Sequence, residues 1–188
     1  MKKYELCLDK KISVLGITLF RIKALISFGD VNAGEIGGYI EKEQNLSQSG
    51  NAWVYGDARV YGDAQVSGNA QVSGDARVSG NAQVYGNAWV YGNAWVRGNA
   101  RVCGDAWVYG DAHYIQMGPI GSRDDTITFM WTKDAEIAVK IGCFFGTIEE
   151  FEKKVKETHG NNHHAKEYLL AAEIAKSRID LTPEEEKQ

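Results

Sequence analysis

The sequence has few cysteines, no long apolar run and no excess of basic charge, and each shortage removes a class of protein. Three cysteines, Cys7, Cys103 and Cys143, are an odd number without metal-ligand spacing. No disulfide framework is therefore expected, and the economical reading is a reduced, cytoplasmic setting. The opening MKKYELCLDKK carries charge but no apolar signal-peptide core, and no later run is long enough to span a bilayer, so no membrane partner is expected. The formal net charge is −4, from 21 Lys and Arg against 25 Asp and Glu, with no basic stripe. A nucleic-acid polymer requires such a stripe to neutralise its phosphates, so that partner is not expected either. Histidine is scarce too, and none precedes His113.

Glycine, by contrast, is abundant at 21 residues, and much of it is periodic. Ten consecutive hexads of the form Gly-(Asn/Asp)-Ala-x-Val-x run without insertion from Gly50 to Tyr109, and an eleventh begins at Gly110. Ala-x-Val alternates in the period of a strand, so Ala52, Ala58 and Ala64 point inward together with Val54, Val60 and Val66. Gly followed by Asn or Asp is turn chemistry, since both tolerate left-handed backbone. Each hexad is thus one short strand and one corner. Strands this short bury nothing alone, so three sides of six residues must wind into coils of about 18 residues that stack at about 4.8 Å. From Val54 and Ala58 to Val108 and Ala112, the spacing resembles the hexapeptide left-handed β-helix family.

With the inward positions nearly invariant, information lies in the outward ones. A coil of about 18 residues places Trp53, Gln71, Trp89 and Trp107 on one side, beside Tyr55, Ser73, Tyr91 and Tyr109. The second side carries Arg59, Arg77 and Trp95, and the third Gln65, Gln83 and Arg101. Three Trp (Trp53, Trp89, Trp107) and three Tyr (Tyr55, Tyr91, Tyr109) then make an exposed aromatic ladder. Such a ladder stiffens the prism by cross-strand stacking, forms a homo-oligomer seam, for which a trimer is favoured, or offers a platform to rings.

Residues 1–45 read as an N-terminal β cap over residues 46–112, the repeat body. Tyr4 to Asp9 and Ile12 to Val14 suggest a hairpin about Lys10 and Lys11, with another strand from Ile17 to Ile26. FGDVNAGEIGGYI bends the chain into the first coil; its GEIGGY lacks the Lys-Ser/Thr ending of a phosphate loop. Leu46 and Gln48 match Ala52 and Val54 in an imperfect first repeat.

Residues 113–181 read as a small β+α module, followed by an acidic tail at 182–188. Tyr114 to Met117, Thr126 to Thr132 and Ile137 to Ile141 are expected strands. A capping box at Thr147 and Glu150 opens a helix that Gly160 stops, and Asn161 or Asn162 caps a second one. Two unusual loops flank these elements, Gly118 to Arg123 and Gly142 to Thr147. Gly121, Ser122, Arg123, Gly142, Cys143, Gly146 and Thr147 are candidate ligand contacts. Accessible backbone N–H groups, a guanidinium fork and a helix N-terminus all suit an anion or nucleotide. The bland alternative is tight turns, with Arg123 bridged to Asp124 or Asp125.

FGDVNAGEIGGYIEKEQNLS, the repeat array, GPIGSR, GCFFGT and THGNNHHAKEY together resemble small hexapeptide-repeat proteins of phage and prophage genomes. That resemblance implies a non-enzymatic counter-defence factor that sequesters a nucleotide signal or blocks a host immune protein. Against catalysis, hexapeptide acyltransferases use a His and an interrupting loop; here only His113, next to Asp111 and Ala112, adjoins the array. His159, His163 and His164, with Glu167, are broken by Gly160 as a metal set, and Cys143 has no base fixed by sequence. No cofactor or metal is expected. The reading is a mainly β protein built on a left-handed parallel β-helix of about three to four coils, acting by stoichiometric capture. A structural scaffold using the aromatic ladder and a hexapeptide-type acyltransferase are the alternatives.

Overall fold

The computed structural model describes residues 2–110 and 113–179. Three strands open the chain: β1 (Tyr4–Val14), β2 (Ile17–Ala24) and β3 (Ile36–Ile40). β1 runs unbroken through Lys10 and Lys11, and the reversal falls at Leu15 and Gly16, with φ of 51° and 83°. The expected hairpin is thus displaced. Two consecutive positive φ values match the right-handed twist of a hairpin, and the Lys pair is absorbed as an irregularity between Cys7 and Lys11.

The hexads form a parallel β-solenoid of about four turns. Its strands are two-residue pairs: β4 (Trp53–Val54), β5 (Arg59–Val60), β6 (Gln65–Val66), β7 (Gln71–Val72) and β8 (Arg77–Val78). They continue as β9 (Gln83–Val84), β10 (Trp89–Val90), β11 (Trp95–Val96), β12 (Arg101–Val102) and β13 (Trp107–Val108). Pairing Trp53 with Gln71, Gln71 with Trp89 and Trp89 with Trp107 gives the register expected from the repeat. Arg59, Arg77 and Trp95 align on the second side, Gln65 and Gln83 on the third. All inward Ala and Val residues from Ala52 to Val108 are buried. The corner glycines take positive φ, and a Cβ on Gly68 would stand 3.0 Å from the amide nitrogen of Gly86 in the next coil.

Corner side chains add a ladder of their own. Asn51 Nδ2 donates to Asn69 Oδ1, Asn69 to Asn87, and Asn87 to Asp105, each at 3.1 Å. An amide both donates and accepts, so Asn propagates the ladder whereas the acceptor-only carboxylate ends it. The Asn87 hydrogen bond, reinforced by Lys133 at 3.4 Å, holds the Asp105 carboxyl below its usual range.

The two ends are closed by opposite chemistry. Amides of each coil donate to carbonyls of the next, as Trp53 N does to Ala70 O and Trp89 N to Ala106 O. The first coil therefore leaves carbonyls open, and donors cover them: Lys3 Nζ reaches Ala52 O at 2.9 Å, Tyr4 Oη Leu46 O at 2.7 Å and Asn45 Nδ2 Ala64 O at 2.8 Å. Leu46 pairs with Val66, two places from the expected register, because Gln48 is drawn out of the core to accept the Lys3 N–H. The last coil leaves N–H groups open. Acceptors meet these: Thr128 Oγ1 for Arg101 N at 3.1 Å, Met130 Sδ for Cys103 N at 3.5 Å.

Those acceptors belong to a second sheet of four antiparallel strands, β14 (Tyr114–Ile120), β15 (Asp125–Trp131), β16 (Ile137–Ile141) and β17 (Phe144–Thr147). Helices α1 (Ile148–His159) and α2 (His163–Arg178) cover its other face. β15 is buried on both sides: Met130 joins the solenoid core, while Ile127, Phe129 and Trp131 pack with Phe151, Val155, Tyr168 and Ala172. The expected capping box of α1 forms between Thr147 and Glu150, Gly160 ends the helix at φ 54°, and Asn162 caps α2. Asp111, Ala112 and the acidic tail lie outside the described residues. Among the described residues, no helix is long and apolar enough to cross a membrane.

Trp53 sits at a position equivalent to Trp89, yet it is fully buried under the N-terminal cap, edge-on to Tyr4 and Phe28, whereas Trp89 is 43% exposed. Trp53→Ala is expected to cost about 3 to 5 kcal/mol and Trp89→Ala less than about 1.5 kcal/mol in urea denaturation. Equal losses would contradict this burial difference. Burial also lowers the Lys3 ammonium from 10.5 to about 8. The unfolded chain keeps that proton up to about 10.5 while the folded chain releases it near 8, so this group makes stability rise with pH across that interval. The urea midpoint of the wild-type chain, compared between pH 7.5 and 9.5, should rise relative to that of Lys3→Met. Parallel pH dependence in the two proteins would refute the assignment.

Candidate functional site

A cleft of about 540 Å³ opens in the C-terminal module, between the ends of β16 and β17 and helix α1. Three separated segments build it. A short 3-10 turn at Gly121–Arg123 supplies Ser122 and Arg123, the turn between β16 and β17 supplies Gly142 and Cys143, and α1 supplies Lys154 and His159. Ile141, Phe144, Phe151, Val155 and Tyr168 give it an apolar floor. The two loops singled out from the sequence thus meet, but only in part. Cys143, the exposed thiol of the three, lies in the cleft; Cys103 is buried.

Gly121 is buried in the wall behind the cleft. Its N–H donates to Glu167 Oε2 at 3.1 Å, and the Ser122 N–H donates to Tyr168 Oη at 3.2 Å. The backbone donors of this first turn are therefore spent on α2. Gly146 and Thr147 do not reach the cleft. Sequence reasoning took them for loop residues, but they pair with Val139 and Ala138 in β17, which carries them to a separate groove of about 220 Å³. That groove also holds Asp105, Asp134, Glu136 and Glu150, a lining that repels anions. The helix N-terminus is self-satisfied, since Thr147 Oγ1 accepts from Glu150 N and Glu150 Oε2 from Thr147 N.

Two cations edge the cleft. Arg123 makes no ion pair with Asp124, Asp125 or any other described carboxylate, and Lys154 has only Glu157 at 3.8 Å. Asp125 also lines the cleft beside Gly142, its Oδ1 accepting the Thr126 N–H. Lys140 bonds the carbonyls of Gly142 and Phe144 and so fixes the second turn. Lys154 was not singled out from the sequence as a cleft residue; the signal was its place on α1 immediately before Val155, while His159, one turn after Val155, shares the cleft with Cys143 as the sequence suggested. An unpaired guanidinium and an ammonium above an apolar floor suit an anion with an apolar portion.

The other sequence candidates fall elsewhere. His113 is buried between Tyr109 and Trp131, with Nδ1 accepting the Tyr109 N–H, so it packs as a structural residue. His159, His163 and His164 gather near Tyr168, but among the described residues no metal-holding group of His, Cys, Asp or Glu is assembled. The aromatic ladder is shorter than expected. Trp53 is covered and Tyr55 is half-buried against the cap, leaving Trp89 stacked on Trp107 at 5.7 Å and Tyr91 edge-on to Tyr109 at 5.0 Å.

The family model described as "YdcK Beta solenoid repeat" matches residues 52–68, 64–80, 70–84 and 82–98. A protein of Escherichia coli (strain K12) named "Uncharacterized acetyltransferase YdcK" is 36% identical over 62 residues, which cover 29% of this chain and 19% of that protein. The chain therefore matches about a fifth of the relative's length. The family matches lie within the solenoid, so that likeness extends to the scaffold and stops short of the cleft. Neither description carries a phage or defence role.

Gly121 has φ 71°, and a Cβ there would run into the Tyr168 ring. Gly121→Ala is expected to lose more than about 2 kcal/mol in thermal or urea denaturation. A neutral substitution would mean that the turn and α2 are not locked together as described.

Proposed function

We propose that this chain is a β-solenoid protein of the acyltransferase kind, with the solenoid as scaffold and the C-terminal cleft as the seat of an acyl donor. The observation that carries the proposal is the cleft itself, where Arg123 and Lys154 stand over an apolar floor of a size suited to a small ligand. An acyl thioester of a phosphorylated nucleotide has the matching parts: phosphates for the two cations and an apolar arm for Phe144, Phe151 and Val155. The name of the Escherichia coli relative supports this class of chemistry. In such a transfer an acceptor amine or hydroxyl attacks the thioester carbonyl, a base takes its proton, and the thiol departs. His159 is the histidine that lines the cleft and is assigned the base. The aromatic pairs Trp89/Trp107 and Tyr91/Tyr109 are assigned to a homo-oligomer seam.

A second reading, capture of the same ligand without turnover, is favoured by the burial of His113 and the lack of any histidine along the solenoid walls. A counter-defence role, by that capture or by blocking a host immune protein, rests on the phage resemblance alone.

Acetyl-CoA binding by calorimetry and thiol release in the presence of amine acceptors separate these readings. Arg123→Ala should weaken binding about tenfold, and His159→Ala should keep binding but lose thiol release. Binding without release in the wild-type chain selects capture. Failure of acetyl-CoA to bind ends both readings for this donor.

A further inference from the structure

The second side of the solenoid carries charge that the fold does not compensate. Arg59 and Arg77 pair in register, and Arg77 pairs in turn with Trp95. Neighbouring parallel strands lie about 4.8 Å apart, and like charges set opposite one another are unfavourable. Arg97 follows two residues after Trp95, and Arg178 ends α2 where that helix returns to the same side. None of these four guanidiniums forms an ion pair with a described carboxylate. The dipole of α2 favours a cation at its end but leaves the N–H donors of Arg178 unused.

Where this side meets the C-terminal module, a groove of about 290 Å³ is lined by Trp95, Arg97, Tyr114, Gln116 and Arg178. Its parts are held in place. Trp95 Nε1 donates to Ser79 Oγ at 3.3 Å, and the Tyr114 hydroxyl donates to the Trp95 carbonyl. The Arg97 guanidinium lies over the Trp95 ring at 4.5 Å, and that of Arg77 at 5.9 Å. This contact holds the Arg97 guanidinium at the groove without using its N–H groups, which stay available to an acceptor.

We propose that this groove is a second ligand site, separate from the cleft, for a small phosphomonoester. Two guanidiniums from different elements offer two forks. One fork already saturates a carboxylate, whereas the three terminal oxygens and near-double charge of a phosphomonoester engage both. The groove leaves room for a body about the size of one sugar.

Calorimetry with ribose 5-phosphate tests the assignment, with ribose as the uncharged control and gluconate as the single-carboxylate control. Ribose 5-phosphate should bind, weaken with added salt and lose about tenfold in affinity in Arg97→Ala and again in Arg178→Ala. Arg97→Lys, which keeps the charge but not the fork, should lose part of that. Arg123→Ala, in the other cleft, should bind as the wild type does. The proposal is overturned if ribose 5-phosphate fails to bind at millimolar concentration, if ribose or gluconate binds as well, or if Arg123→Ala rather than Arg97→Ala abolishes binding. Both groove arginines are on the surface, and circular dichroism of each variant confirms that loss of binding is not loss of fold.

Discussion

Everything in this molecule hangs on the backbone hydrogen bond that each coil makes with the next. Because the hexads contain no insertion, Trp53 N meets Ala70 O, Gln71 N meets Ala88 O and Trp89 N meets Ala106 O, always one full coil apart. Side chains then stack on copies of themselves. Ala and Val make one continuous core, Asn makes a corner ladder, and outward residues fall into columns. The same directionality fixes the ends, since a ladder that runs amide to carbonyl leaves acceptors bare at one end and donors at the other. Lys3, Tyr4 and Asn45 supply donors at the first coil, and Thr128 and Met130 supply acceptors at the last. An uncapped solenoid edge is a template for further strands, so these side chains also limit the stack to one chain's length.

The C-terminal cap carries the candidate chemistry for a related reason. β15 spends one face closing the solenoid and the other holding two helices, and its rigidity positions the turns that frame the cleft. Clefts built on such double-sided elements need little reorganisation when a ligand arrives. The uninterrupted solenoid walls offer grooves only where another element leans on them, as α2 does beside Trp95.

Legibility in the sequence followed the range of the interactions involved. The repeat register was readable because it is local and reiterated: Gly-Asn/Asp marks every corner and Ala-x-Val every side. The capping box at Thr147 and Glu150 and the stop at Gly160 were readable because a helix end is decided within four residues. The hairpin at Leu15 and Gly16 was misplaced because a positive φ at leucine has no sequence mark. The cleft was half readable. Gly, Ser, Arg and Cys announced two turns, but β17 pairing turned Gly146 and Thr147 to another groove, and α1 brought in Lys154 and His159 from outside either motif.

The aromatic ladder draws the same line most sharply. Sequence alone determined that Trp53, Trp89 and Trp107 occupy one column, because period and register are properties of neighbours along the chain. It did not distinguish them, since their hexads are nearly identical. Only the tertiary structure decided that Trp53 is enclosed by Tyr4 and Phe28, that Trp107 leans on Trp131, and that Trp89 stays open to solvent. Burial depends on what lies across the gap, and across each end of a solenoid lies a cap whose contacts come from residues far away in sequence.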